Sequence, residues 1–171
     1  MNINWDEIHW EEWFGTIWNT KSLKGPQYNF MKSDIVERAF EKYSNRQLEY
    51  VGDICNGKDF DAIDSLNYEM KCLDGLIQKT TYKTKAFVLK NFYTNNTGMA
   101  TKTFYKIISV DTKQNTVLLC DWENIEMKMN DATITCVLHE KKCQTLISRV
   151  TPLQKPINFK ENYATFIESI I

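Results

Sequence analysis

One stretch constrains this chain more than any other: Lys58-Asp-Phe-Asp-Ala-Ile-Asp-Ser-Leu-Asn-Tyr-Glu-Met-Lys71. It reads as two short strands about a polar break, with three aspartates on the first and Tyr68–Leu73 as the second. Side chains alternate faces along a strand, so Glu69 and Lys71 share one face while Tyr68, Met70 and Cys72 take the other. By the same rule Asp59 and Asp61 share a face and Asp64 has the opposite parity. A three-residue loop at Asp64–Leu66 or Ser65–Asn67 sets Asp61 across from Glu69 or Lys71. Two acids and a lysine then meet at one point of a β-ribbon.

The flanks supply the rest of the architecture. Ser33–Tyr43 is the clearest helix: Ser33 is its expected cap, and Val36, Ala39, Phe40 and Tyr43 fall on one side. Gln47–Cys55 reads as a first strand and Asn56-Gly57 as a hairpin turn. Upstream, Ile3, Trp10, Trp13, Phe14 and Ile17 recur at helical steps from a cap at Asn4, a helix packed on the core or, alternatively, an aromatic surface for a partner or second subunit. Downstream, Phe104–Val110, Thr116–Trp122, Ala132–His139 and Thr145–Val150 are strand-like, with turns at Asp111–Asn115 and Asn124–Asp131. Asn158–Ile171 reads as a closing helix. The expected fold is mixed α/β (α+β): a central, largely antiparallel or mixed sheet flanked by helices. The whole of 1–171 is taken as one domain, with a helical segment 1–46, an acidic hairpin 47–75, a sheet-extending region 76–150 and a helix 157–171.

The chemistry of the ribbon is specific. Magnesium takes hard oxygen ligands, commonly one or two carboxylates plus water and substrate phosphate. The bound ion polarises a phosphoryl oxygen and makes a nucleophile of water. A lysine beside that water stabilises the developing charge. Asp61, followed by Glu69-Met70-Lys71, resembles the D…(D/E)xK signature of the PD-(D/E)xK nucleases. Phe60–Asp64 leading into Asn67–Lys71 is similar to the small type II restriction endonucleases of the PvuII kind. Phe60 stands where the family's name has a proline. The resemblance covers this motif and the helix before it, not the whole chain.

The resemblance implies a restriction-endonuclease-like core and a magnesium-dependent enzyme that hydrolyses phosphodiesters within a short site of double-stranded DNA. It implies Asp61 and Glu69 as the Mg²⁺ ligands together with the Met70 carbonyl, and Lys71 as the aid to the attacking water. Asp59 is the reserve aspartate if the register shifts by two, and Glu37 is an accessory outer ligand. One small site per chain and two strands to cut imply a two-fold homodimer matched to a palindromic target.

Further residues bear on DNA. Gln78–Lys90 carries Lys79, Lys83, Lys85 and Lys90 among threonines and a tyrosine with no acid, residue types that bind phosphate. The loop Thr94–Lys102 offers Asn95, Asn96 and Lys102 for base readout, although a turn wants the same asparagines. A second Glu-x-Lys, Glu126-Met127-Lys128, shows how weak the tripeptide is alone. Asp121 lies too close to it for a hairpin, and Asp111 is a distant alternative. His9 sits in an acidic run without a nucleophile.

Composition bounds the partners. The 171 residues are 43% hydrophobic and 25% charged, with a formal net charge of −1, so a DNA surface must be a local patch. Five cysteines without a CxxC pair suit a reducing compartment and buried thiols. No leader pattern and no apolar run of membrane-spanning length is seen, so a soluble, cytoplasmic protein without a membrane partner is expected. Two other readings stand beside the nuclease: a non-catalytic β-rich nucleic-acid or protein binding module, and a repair or junction nuclease on the same core.

Overall fold

The computed structural model describes residues 2–52, 59–73, 77–78, 85–94, 105–130 and 133–153, with Ala164 and Glu168. The chain divides into two compact units: residues 1–65 with 150–171, and residues 66–149.

The first unit is built on aromatic packing. Asn4 caps a single 3-10 turn, Trp5–Glu7, its side chain accepting from Asp6 N at 3.1 Å. Helix α1 (Trp10–Thr20) starts only after this turn, so the helix expected from Asn4 is split in two. Helix α2 (Asn29–Tyr43) begins four residues before Ser33, which is therefore a position inside the helix and not its cap. Trp13, Phe14 and Ile17 of α1 and Ile35, Ala39 and Phe40 of α2 are buried. The Trp13 indole stands 4.6 Å from Phe40, and its Nε1 donates to Val36 O at 3.0 Å. A buried indole N–H needs such a partner, and here it ties one helix to the backbone of the other.

Gly15 is the small residue on α1 that makes room for returning chain. A Cβ there would collide with the Leu153 carbonyl, and Leu153 N donates to Glu11 O at 3.0 Å. Strands β1 (Leu48–Tyr50) and β2 (Phe60–Ala62) pair antiparallel beside the helices. Both are shorter than expected: Asp59 precedes β2 and Asp64 lies in the turn after it, so only Asp61 of the three aspartates is on a strand. Of the C-terminal helix expected at 157–171, only Ala164 and Glu168 are described, and both are helical.

The second unit is β-rich. Strands β3 (Asn67–Leu73), β6 (Lys106–Asp111), β7 (Thr116–Asp121) and β10 (Gln144–Ile147) are hydrogen-bonded in the order β3-β6-β7-β10. Strands β4 (Ile77–Gln78), β5 (Lys85–Thr94), β8 (Glu126–Asn130) and β9 (Thr133–His139) form a second sheet in the order β4-β5-β9-β8. The described pairings are antiparallel except β3 with β6, which run parallel in the register Tyr68↔Lys106 to Leu73↔Asp111. A parallel pair needs a crossover, and β4 and β5 lie within it. The fold class is thus α+β, with mixed and mostly antiparallel strands.

Ile107, Ile108, Val110, Val117 and Leu118 are all buried, so β6 and β7 are covered on both faces, which explains their unbroken apolar run. Strand β8 falls inside the turn expected at Asn124–Asp131: Glu126-Met-Lys-Met-Asn130 alternates polar and apolar residues as a strand does, and β9 supplies its ladder. Among the described residues, no helix is long and apolar enough to cross a membrane.

Candidate active site

Strand β3 carries the second half of the motif. Glu69 is buried at 6% exposure, yet it is a carboxylate. Taking that charge out of water is costly unless a cation and hydrogen bonds offset the loss. Lys71, two residues on and so on the same face, places Nζ 3.7 Å from Glu69 Oε1. The lysine side chain is 41% exposed against 8% for the glutamate, so the pair straddles the surface with its acid end inside.

Tyr68 and Met70, on the opposite face, are buried and anchor the strand. The parallel ladder to β6 fixes its register, and Asn67 O accepts from Tyr105 N at 2.9 Å. Carbonyls alternate in direction along a strand, so with Asn67 O turned to β6 the Met70 carbonyl points to the other side of β3.

Strand β2 carries the first half. Its register on β1 is Leu48↔Ala62, Glu49↔Asp61 and Tyr50↔Phe60. Phe60 is fully buried, edge-on to Phe40 of α2 at 5.6 Å and to Tyr50 at 5.8 Å. Alternation then turns Asp61 to the other face, where it is half-buried. The residue in the place of the motif's proline is therefore the pin that orients the aspartate. Asp59, half-buried, precedes the strand and bonds by its backbone carbonyl to Val51 N at 2.8 Å.

Glu49 is a functional candidate that local sequence signals do not reveal. It lies directly opposite Asp61, and opposed carboxylates in an antiparallel pair repel unless a cation joins them. An uninterrupted ladder from a two-residue turn at Asn56-Gly57 would set Gly52 opposite Asp61, so the hairpin signal conceals this neighbour. Glu37 is half-buried on α2. Lys79, Lys83, Asn95, Asn96 and Lys102 lie outside the described residues; Lys85 opens β5.

The second Glu-x-Lys is a different environment. Glu126 Oε2 lies 2.7 Å from His139 Nε2, Asp121 pairs with Lys106 at 3.1 Å, and Asp111 accepts from Lys113 N and Gln114 N at 3.0 Å each. Glu126 and Asp121 are committed to these contacts, whereas fully buried Asp111 makes both of its bonds through Oδ1 and leaves Oδ2 without a hydrogen-bond partner among the described residues.

The cysteines correct one expectation. Cys120 and Cys143 form a disulfide, with Cα atoms 4.6 Å apart, where buried thiols were expected. The β7–β10 register, Gln144↔Leu119, extends naturally to oppose Cys143 and Cys120. Cys72 is exposed, whereas Cys136 is buried and its thiol is pushed up to about 11 by desolvation.

Comparison with known proteins gives no match to a family model, to a curated protein or to a solved structure. Among the described residues, no group of three or more His, Cys, Asp or Glu side chains is arranged to hold a metal. Magnesium asks for less than that of the protein, since one or two carboxylates with water and phosphate complete its shell. Glu69, a hard oxygen donor held at a surface boundary beside a lysine, fits such a partial donor set.

Proposed function

We propose that the chain is a magnesium-dependent endonuclease of double-stranded DNA, of the type II restriction kind, acting as a homodimer in the cytoplasm. The observation that carries this reading is the buried Glu69 carboxylate with Lys71 Nζ at 3.7 Å on the same strand face. Asp61 enters the proposal on the strength of the motif alone, in which it precedes Glu69 by eight residues. Magnesium, when bound, supplies charge neutralisation at the phosphate and a more acidic water.

The chain's own residues do the rest. The carboxylates of Asp61 and Glu69 would hold the ion, with the Met70 carbonyl as a further oxygen donor. Lys71, half-exposed, donates to the attacking water or the phosphate oxygen and holds charge near the reacting phosphorus. Asp59 and Glu37 are accessory acids. Lys79, Lys83 and Lys85 take backbone phosphates, while Asn95, Asn96 and Lys102 read base edges.

The test is cleavage of long unmethylated phage DNA with Mg²⁺, in parallel with EDTA and with Glu69→Gln and Lys71→Met. Discrete fragments that vanish in all three controls support site-specific hydrolysis. A smear keeps the nuclease but removes the restriction-type specificity. Preference for branched over linear DNA moves the reading to junction resolution or repair. Intact DNA with folded protein across several metals refutes the enzyme and leaves a binding module.

A further inference from the structure

The first unit presents a second surface with a definite chemistry. Between Glu12 and Asp34 the chain carries Lys21, Lys24 and Lys32 and no acidic residue. This run covers the end of α1, the connection, and the first turn of α2. Since α1 and α2 pack side by side through Trp13, Phe14, Ile35 and Phe40, the connection and the helix ends it joins lie at one end of the pair. Phe30 stands there at 92% exposure and Trp18 at 44%. Lys21 Nζ lies 4.8 Å from the Trp18 ring centroid, close enough for a cation–π contact that holds the ammonium at the surface. Buried Leu23, whose N donates to Thr20 O at 3.0 Å, ties the connection down.

The helices' apolar stripes are already used in the core, so what remains outside is not a continuous greasy face. It is the exposed rings of Trp18 and Phe30 on a stretch of chain that also carries Lys21, Lys24 and Lys32 and the amides Asn19, Gln27 and Asn29, with Lys21 on the Trp18 ring. A lipid surface or a second apolar protein face would want a contiguous patch. Isolated rings beside cations suit a strand of nucleic acid with unpaired bases: rings stack on base faces of any sequence, and ammonium groups neutralise the intervening phosphates.

We infer that Phe30 and Trp18, with Lys21, Lys24 and Lys32, form a binding site for single-stranded nucleic acid. Phe30 stacks on an unpaired base, and the lysines follow the backbone. The inference does not rest on the nuclease reading, because it concerns binding and needs neither Glu69 nor a metal.

The experiment is fluorescence anisotropy of a labelled single-stranded 12-mer and the corresponding duplex, in EDTA, with full-length protein carrying Glu69→Ala. Phe30→Ala should weaken single-strand binding by about ten-fold, the loss of one stacked base, and leave duplex binding unchanged. Lys24→Gln with Lys32→Gln should lower the slope of log K against log salt by about 1.4, roughly 0.7 for each phosphate no longer neutralised. Because Phe30 is almost wholly in solvent, its substitution leaves the melting temperature in place, and that measurement accompanies the titration. Equal single-strand affinity for Phe30→Ala and the parent overturns the inference. So does the absence of single-strand binding, or a Phe30-dependent affinity for phosphatidylserine vesicles in its place.

Discussion

Replacing Phe60 by alanine probes the joint between fold and site. The ring is fully buried, edge-on to Phe40 at 5.6 Å and to Tyr50 at 5.8 Å. Truncating a buried phenylalanine costs about 3–5 kcal/mol, from lost transfer energy and the cavity left behind. Two aromatic neighbours put this site in the upper half of that range, at about 4 kcal/mol. A urea m-value of about 2 kcal/mol per molar then lowers the unfolding midpoint by about 2 M. Trp13, whose ring lies 4.6 Å from Phe40, reports the transition by its fluorescence. Phe60→Leu keeps much of the volume and should lose only about 1.5 kcal/mol. A midpoint for Phe60→Ala within about 0.5 M of the parent (about 1 kcal/mol at that m-value), at unchanged slope, would refute the claim that this ring pins β2 and so aims Asp61.

Three further outcomes are expected. Gly15→Ala gains about 1 kcal/mol of helix propensity yet should destabilise by about 1–3 kcal/mol net, since the methyl meets the Leu153 carbonyl; thermal melting decides the sign. Cys136, whose thiol is raised from 9.0 to about 11 by burial, keeps its proton in the folded state after the unfolded chain has lost it. Its contribution is therefore full below pH 9 and declines by up to about 2–3 kcal/mol as pH rises to 11, a slope that Cys136→Ala should remove from denaturant midpoints measured across that window. Cys143→Ser opens a cross-link whose ends are 23 residues apart and should cost about 3 kcal/mol under non-reducing conditions, with no difference from the parent once both are fully reduced.

The order of the central elements is legible because its signals are local. Val36, Ala39, Phe40 and Tyr43 mark α2 by spacing alone, and Glu69 and Lys71 share a face by parity alone. What escapes a reading of the sequence depends on partners distant along the chain. Glu49 meets Asp61 only through a register that the Asn56-Gly57 turn does not dictate. Cys120 and Cys143 meet only because β8 and β9 leave the sheet between β7 and β10 and return. Strand β8 alternates polar and apolar residues, but Asn124, Asn130 and Asp131 around it read as a turn until β9 pairs with it. Helix α2 starts early because Pro26 opens a 3-10 turn that leads straight into Asn29, extending the helix through an exposed phenylalanine.

The discontinuity of the first unit has a consequence for biosynthesis. Residues 150–153 belong with α1, and Leu153 occupies the space that Gly15 leaves open, although 84 residues of the second unit (66–149) are translated between them. At about 5–20 residues per second, the groove at Gly15 waits roughly seven to thirty seconds for its occupant to leave the ribosome. During that interval α1 can pack on α2 through Trp13, but the Glu11 carbonyl and the face at Gly15 stay open to water, so this part of the first unit is completed only after the second unit has been made.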